Sequence, residues 1–404
     1  MSKQEQQHRG PAESLLNDDV VIVSAVRTPL CRAGKGKLAS IPPSTLVSVV
    51  LRGCLQSTKI PPEDIQDICI GNVLGKPIEF ASMRMAQIAA GIPSSVPMNM
   101  VNRQCSSGLQ AIHNIASAIQ CGSIQIGIAA GVESMSANPM STTSETPPFH
   151  ADWDTMKQYP EAMDCLVPMG ITSENVAKEY SLQRLDLDEF AYQSHQKAYR
   201  AQLAGKFRNE IVPVGNVTED DGIRPSTTRE GLAKLRPVFL KQNGLTTAGN
   251  SSQLTDGAAA ILLMTRSEAT RRHLPVMGVW EGYTVVGVPP KLMGIGPRYA
   301  IPSLLSSHNL PLKDIDIFEI NEAFASQATW CIQELNLDPE KVNPNGGAIA
   351  LGHPLGCTGA RLIVSLLHEM NRSTKHRQYG VVSMCIGTGM GAAALLKVET
   401  KASL

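Results

Sequence analysis

No apolar stretch of this sequence approaches the ~20 residues needed to cross a bilayer, because the longest are broken by glycine or charge. The chain is therefore expected to be soluble, without membrane insertion. Neither sign of charge is in surplus, with 36 basic side chains against 36 acidic ones. That balance argues against a nucleic-acid protein working through a broad basic field, while leaving room for a local basic groove that takes phosphates. Paired C-x-x-C spacings are missing and the nine cysteines make an odd set, which argues against a structural zinc site or a disulfide framework and predicts no metal. A reducing compartment fits such cysteine use. Residues 1–18 have no apolar core of the secretory kind, and Arg9 is their only arginine. They read as a flexible tail with little support for a mitochondrial presequence. At the other end, Ala402-Ser403-Leu404 has no basic residue in its middle position, unlike a peroxisomal C-terminal address.

What is present is a chain of 404 residues, 43% hydrophobic, long enough for two or three domains with a sizeable core. Val20-Val21-Ile22-Val23-Ser24-Ala25 is a β-branched run that predicts a buried strand. Helical spacing over 44–55 and 109–119 then alternates with strand-like runs at 68–70 and 124–130, which predicts an α/β fold. The pattern recurs. Ile60-Pro61-Pro62-Glu63-Asp64-Ile65 leads to Gly71-Asn72 as Leu310-Pro311-Leu312-Lys313-Asp314-Ile315 leads to Ile320-Asn321. Later, Ile126-Gly127-Ile128-Ala129-Ala130-Gly131 parallels Tyr379-Gly380-Val381-Val382-Ser383-Met384. Two matches in register predict duplicated α/β halves sharing a site at equivalent strand and helix ends. The expected division is a tail at 1–18, a first half at 19–138 plus 244–269, an inserted loop or lid domain at 139–243 that is helical over 174–204, and a second half at 270–404.

Four stretches carry chemistry. Cys105 follows Asn102-Arg103-Gln104 and precedes a helical pattern, so it is expected at a helix N-terminus. There the dipole favours a thiolate, and Cys105 should be alkylated ahead of the other cysteines. His353 is wedged between Gly352 and Pro354 in a glycine-rich window, suited to taking a thiol proton or donating to an oxyanion. Cys385 ends a strand before Gly387-Thr388-Gly389, where glycines let backbone amides approach a reacting carbonyl. Asn321 opens Asn321-Glu322-Ala323-Phe324 and could hold a catalytic water. Each has a plain alternative: a core cysteine, a loop histidine, a glycine-rich turn or a helix cap.

Taken together, the cysteine of the first half with N-E-A-F, G-H-P and C-x-G-x-G of the second resembles the thiolase family over Val20 to Lys397. Within it, the likeness is to the peroxisomal 3-ketoacyl-CoA branch, on Val101–Ala111, Met169–Ala177 and Cys385–Gly391. The resemblance implies a layered αβαβα core and an acyltransferase that cleaves 3-ketoacyl-CoA with CoA in β-oxidation. By motif, Cys105 would carry the acyl group, His353 would activate its thiol, and Cys385 would move the α-carbon proton. One oxyanion pocket would come from His353 with a water on Asn321, the other from the amides of Cys105 and Gly387. Ser252, Ala323, Phe324 and Met169 would line the acyl-pantetheine path, with Arg224 and Thr227 near the nucleotide. CoA is then a co-substrate and no cofactor is permanently bound.

A homodimer is implied, with a tetramer as the larger option. Kinship favours the peroxisome, while the absence of an intact targeting nonapeptide keeps the cytosol as the alternative. Short-chain acetoacetyl-CoA thiolases have a histidine before the Met-Gly, where this chain reads Val167-Pro168-Met169-Gly170, so broader acyl length is favoured over a condensing short-chain enzyme. A non-catalytic acyl-CoA-binding homologue would not need reactive residues at all four positions. A decarboxylating ketoacyl synthase would want a second histidine where Cys385 stands.

Overall fold

A computed structural model describes residues 18–140 and 151–399; the sequence readings on the remaining residues, most of the expected tail among them, lie outside it. The first half runs β1 (Val20–Arg27), α1 (Pro43–Thr58), β2 (Asp67–Gly71), α2 (Glu79–Ala89), β3 (Met98–Val101), α3 (Ser107–Gln120) and β4 (Ile126–Ser134). After an excursion containing α4 (Met169–Glu179) and α5 (Arg184–Leu203), the chain returns as β5 (Thr255–Thr265). The second half runs β6 (Gly278–Gly287), α6 (Gly296–Ser307), β7 (Ile317–Ile320), α7 (Ala325–Glu334), α8 (Leu355–Met370), β8 (Arg377–Ile386) and β9 (Met390–Glu399).

The strands order as β3-β2-β4-β5-β1-β6-β9-β8-β7. In the first half β2 and β4 are parallel and β4, β5 and β1 antiparallel. In the second, β7 and β8 are parallel and β8, β9 and β6 antiparallel. Both halves therefore have one topology, and the two stretches matched in sequence fall on equivalent strands. A single parallel bridge, Phe318 to Val342, stands where the first half has β3.

Helices α3 and α8 share one core with the inner faces of both sheet halves, while α1 and α2 cover one outer face and α6 the other. The result is the expected αβαβα layering. The central position of α8 shows in its burial: every residue from Gly356 to Leu367 is buried, including the polar stripe of Thr358, Arg361 and Ser365 that runs opposite its apolar face. Where α3 crosses α8, glycine is needed. A Cβ at Gly359 would lie 2.4 Å from the backbone nitrogen of Leu109, and one at Gly108 would lie 2.6 Å from the carbonyl of Gly356. A methyl there would force the helices apart, at a cost of about 1–3 kcal/mol.

The excursion is anchored to β1 by Arg27, fully buried, whose guanidinium takes Asp220 through two bonds of 2.7 and 2.9 Å and Glu210 through one of 2.7 Å. Paired forks of this kind fix geometry as well as charge. Its helical part departs from the single span expected over 174–204. Ser181 has φ 54, and this left-handed residue ends α4 and separates it from α5.

Candidate active site

Cys105 and His353 stand at matching places, each two residues before the central helix of its half, α3 and α8. The glycine crossing brings these two helix starts together. Gln104, just before the cysteine, has φ 48, and Thr388, just after Gly387, has φ 70. Such backbone is costly for a β-branched residue and persists where surroundings enforce it, commonly at functional sites.

The loops meet at Cys105, which is partly buried. Burial pushes its thiol up to about 11, against the opposing pull of the backbone amides of Gly387 and of Cys105 itself, with Glu133 adding a smaller push upward. The thiolate expected from the helix N-terminus is thus overruled: desolvation outweighs the amides, and the resting group is a thiol. Those amides are nevertheless the pair expected to serve one oxyanion pocket. Cys385, fully enclosed, is pushed well above its ordinary value, first by burial and then by the neighbouring Cys105 sulfur. It shares a small apolar cluster with Met293 and Ala323, against which Met169 and Phe324 pack.

His353 is buried and neutral, its pKa lowered to about 3 by burial first and by the Arg361 charge second. Its Nδ1 lies 2.6 Å from the Thr358 hydroxyl, whose own hydrogen can go to the Pro354 carbonyl at 3.0 Å. That arrangement makes the hydroxyl an acceptor, puts the imidazole proton on Nδ1 and leaves Nε2 free as a base. Asn321 Nδ2 sits 3.4 Å from this Nε2.

The helix-cap alternative for Asn321 does not hold, since Phe324 occupies the N-cap of α7. Among the described residues its Oδ1 is buried without a partner, as an amide that receives a water would be. The contrast with the equivalent Asn72 is informative. There the amide bonds the Val132 carbonyl and Glu133, and its oxygen accepts from Gly75, so the first-half copy is fully used in holding the fold.

Glu133 was not singled out in the sequence. It accepts from Asn72, Val73 and Leu74 in the first half and from Gly356, at the start of α8, in the second. Burial pushes its carboxyl up to about 7 while those donors pull the other way. Of the expected substrate contacts, Ser252 donates its amide to the Ala323 carbonyl at 3.0 Å, and Ser251 bridges Phe324, so these segments lie side by side. Arg224 is exposed and Thr227 half-buried on the same loop. The Arg224 amide donates to His195 at 3.2 Å. Among the described residues no group of histidine, cysteine and carboxylate side chains could hold a metal ion.

The burial of Cys105 changes what alkylation should report. Cys121 is exposed and its thiol is lowered by the Ser123 hydroxyl. Brief iodoacetamide treatment at neutral pH is expected to mark Cys121 first. Cys105 should follow more slowly, at a rate still rising as pH climbs toward 11. Peptide mapping checks this, and Cys105 labelled first with a plateau near neutrality would contradict a protonated resting thiol.

Comparison with known proteins gives the family. A family profile described as "Thiolase, N-terminal domain" matches residues 20–267 and one described as "Thiolase, C-terminal domain" matches 274–398. The chain is 54% identical over 396 residues to the peroxisomal 3-ketoacyl-CoA thiolase of Homo sapiens, covering 94% of this chain and 91% of that protein. It is similar to the crystal structure of the dimeric peroxisomal thiolase of Saccharomyces cerevisiae, with TM-score 0.88, 46% identity, and 96% and 100% of the two chains covered. Human mitochondrial 3-ketoacyl-CoA thiolase in complex with CoA matches with TM-score 0.85 at 35% identity, over 96% of this chain and 99% of that one.

Proposed function

The chain belongs to the thiolase family, and from that premise we propose that it is a peroxisomal acetyl-CoA C-acyltransferase of fatty-acid β-oxidation. It cleaves 3-ketoacyl-CoA with CoA to acetyl-CoA and a shortened acyl-CoA. What supports this is the meeting of the two halves: the Cys385 sulfur and the Gly387 amide of the second neighbour Cys105 of the first, and Asn321 neighbours His353, just before the helix whose start packs on that of α3.

In the first step His353 Nε2 takes the Cys105 proton as the sulfur bonds to C3 of the substrate. The C3 oxyanion faces the amides of Cys105 and Gly387, while the thioester oxygen of the departing acetyl unit, onto which charge spreads as C2–C3 opens, receives the new Nε2–H and the water on Asn321. The C2–C3 bond then breaks, and its electron pair on C2 takes a proton from Cys385, releasing acetyl-CoA. The imidazolium returns Cys385 to the thiol. In the second step incoming CoA gives its thiol proton to His353 and attacks the acyl-cysteine, whose oxyanion faces the amides of Cys105 and Gly387. Cys105 leaves and recovers a proton from His353. Splitting the transfer through a covalent intermediate, with fixed donors at each oxyanion, lowers both barriers.

Met169, Ala323 and Phe324 line the acyl-pantetheine path with Ser252, and Arg224 and Thr227 lie toward the nucleotide. CoA is a co-substrate and no permanent cofactor takes part. The expected division into a tail, two halves and an inserted lid remains the reading of the chain's domains. We place a second copy of the chain against edge strand β3 and α2. There Ile78 is 77% and Met85 69% exposed, and an open edge beside apolar side chains favours self-association. The assembly is a homodimer or a pair of homodimers.

Purified protein given CoA and a series of 3-ketoacyl-CoAs is expected to consume the ketoacyl chromophore, with substrates beyond acetoacetyl-CoA turned over at least as well. No consumption at any length would reject the activity. Sedimentation at the mass of a single chain would reject the dimer.

A further inference from the structure

The first turn of α7 carries a side chain that the reaction just described does not use. Gln327 is 1% exposed. Its Oε1 lies 3.1 Å from the backbone nitrogen of Ala323 and 3.7 Å from the Cys385 sulfur. Among the described residues its Nε2 is buried with no partner, a cost that a fold tolerates where something else dictates how the amide faces. Here the dictating group is the Ala323 N–H. Turned over, the amide would set its NH2 against that N–H and against the Cys385 thiol, donor against donor. The stem is confined as well, since a Cβ at the facing Gly294 would lie 2.7 Å from the Gln327 Cβ.

We infer that Gln327 is a positioning residue for the C2 proton step: its carbonyl oxygen, locked by the Ala323 amide, accepts the Cys385 thiol hydrogen and holds that sulfur in its protonated form beside C2. An acceptor oxygen next to the sulfur opposes a thiolate. Cys385 therefore keeps its proton against weak bases and gives it up to the strongly basic carbon left when C2–C3 breaks. Acyl transfer to and from Cys105 runs on other groups and does not need Gln327.

The inference rests on the proposed role of Cys385, and two half-reactions separate it from that role. Exchange of labelled CoA into acetyl-CoA needs acyl transfer at Cys105; exchange of the acetyl-CoA methyl hydrogens with deuterated water needs Cys385. Gln327→Leu removes both acceptor contacts. Deuterium exchange is expected to fall by about tenfold or more, as misplacing a reacting group does, with CoA exchange held within about threefold. Gln327→Asn, which keeps an amide but falls a methylene short, should show the same split and serves if the leucine variant does not fold. Equal losses in both half-reactions, or no loss in either, would overturn the inference. Cys385→Ala is the control. If it still exchanges deuterium, the role of Cys385 has failed and the inference falls with it; if it loses exchange while the Gln327 variants keep it, only the inference has failed.

Discussion

Cys105→Ala is expected to abolish thiolytic turnover, lowering kcat by about ten-thousandfold or more, as removal of a covalent nucleophile typically does. The size of the effect follows from the arrangement. Among the described residues none is placed to replace it: Cys385 is fully enclosed and burial holds its thiol well above the ordinary range, and water would need a base aimed elsewhere. Loss of ketoacyl absorbance is the assay, and mass spectrometry of the wild-type protein quenched with substrate should find the acyl group on the peptide containing Cys105. Turnover within tenfold of wild type in the variant would mean that another nucleophile carries the reaction. The variant should remain folded, because a partly buried cysteine is replaced by a residue that α3 readily accommodates at its start.

His353→Ala is expected to cost about a thousandfold in kcat, in the range of a lost general base. Burial pushes the Cys105 thiol up and the His353 imidazole down, so both disfavour a thiolate-imidazolium pair ahead of bond formation. The proton moves only as the sulfur bonds to carbon and the charge passes to the oxyanion, so a thiol without its base gains little from the neighbouring amides. Thr358→Val tests the same nitrogen from behind. It leaves the shape but removes the hydroxyl that takes the Nδ1 proton, letting the imidazole place its proton on Nε2. We expect about a tenfold loss in kcat, typical of groups that orient a ligand or base, with little change in KM and recovery in Thr358→Ser. Nitrogen NMR of the ring reads the tautomer directly. An Nδ1-protonated ring that persists in Thr358→Val would show that the threonine does not set it.

The duplicated pattern was legible because strand-forming runs and their lead-in turns are local, and two matched stretches were enough to pair β2 with β7 and β4 with β8. The reactive positions were legible because each sits in a short motif whose glycines and flanking residues constrain it. What the sequence did not disclose is how burial competes with local fields. The helix start argued for a thiolate at Cys105; only packing shows that desolvation prevails. Thr358, Gln327 and Glu133 were missed for a related reason. Thr358 lies five residues beyond His353 and reads as an ordinary helix residue, and Gln327 as an ordinary polar one in the first turn of α7. Glu133 works across more than two hundred residues of chain. Only an unpaired acid in an otherwise small and apolar strand end hinted at it.

The crossing of α3 and α8 through glycine has a consequence for how the protein comes into being. Nucleophile and base are made in different halves of the chain, so a chain that has finished only its first half holds Cys105 without His353. The pair exists only once both halves have docked through those glycines.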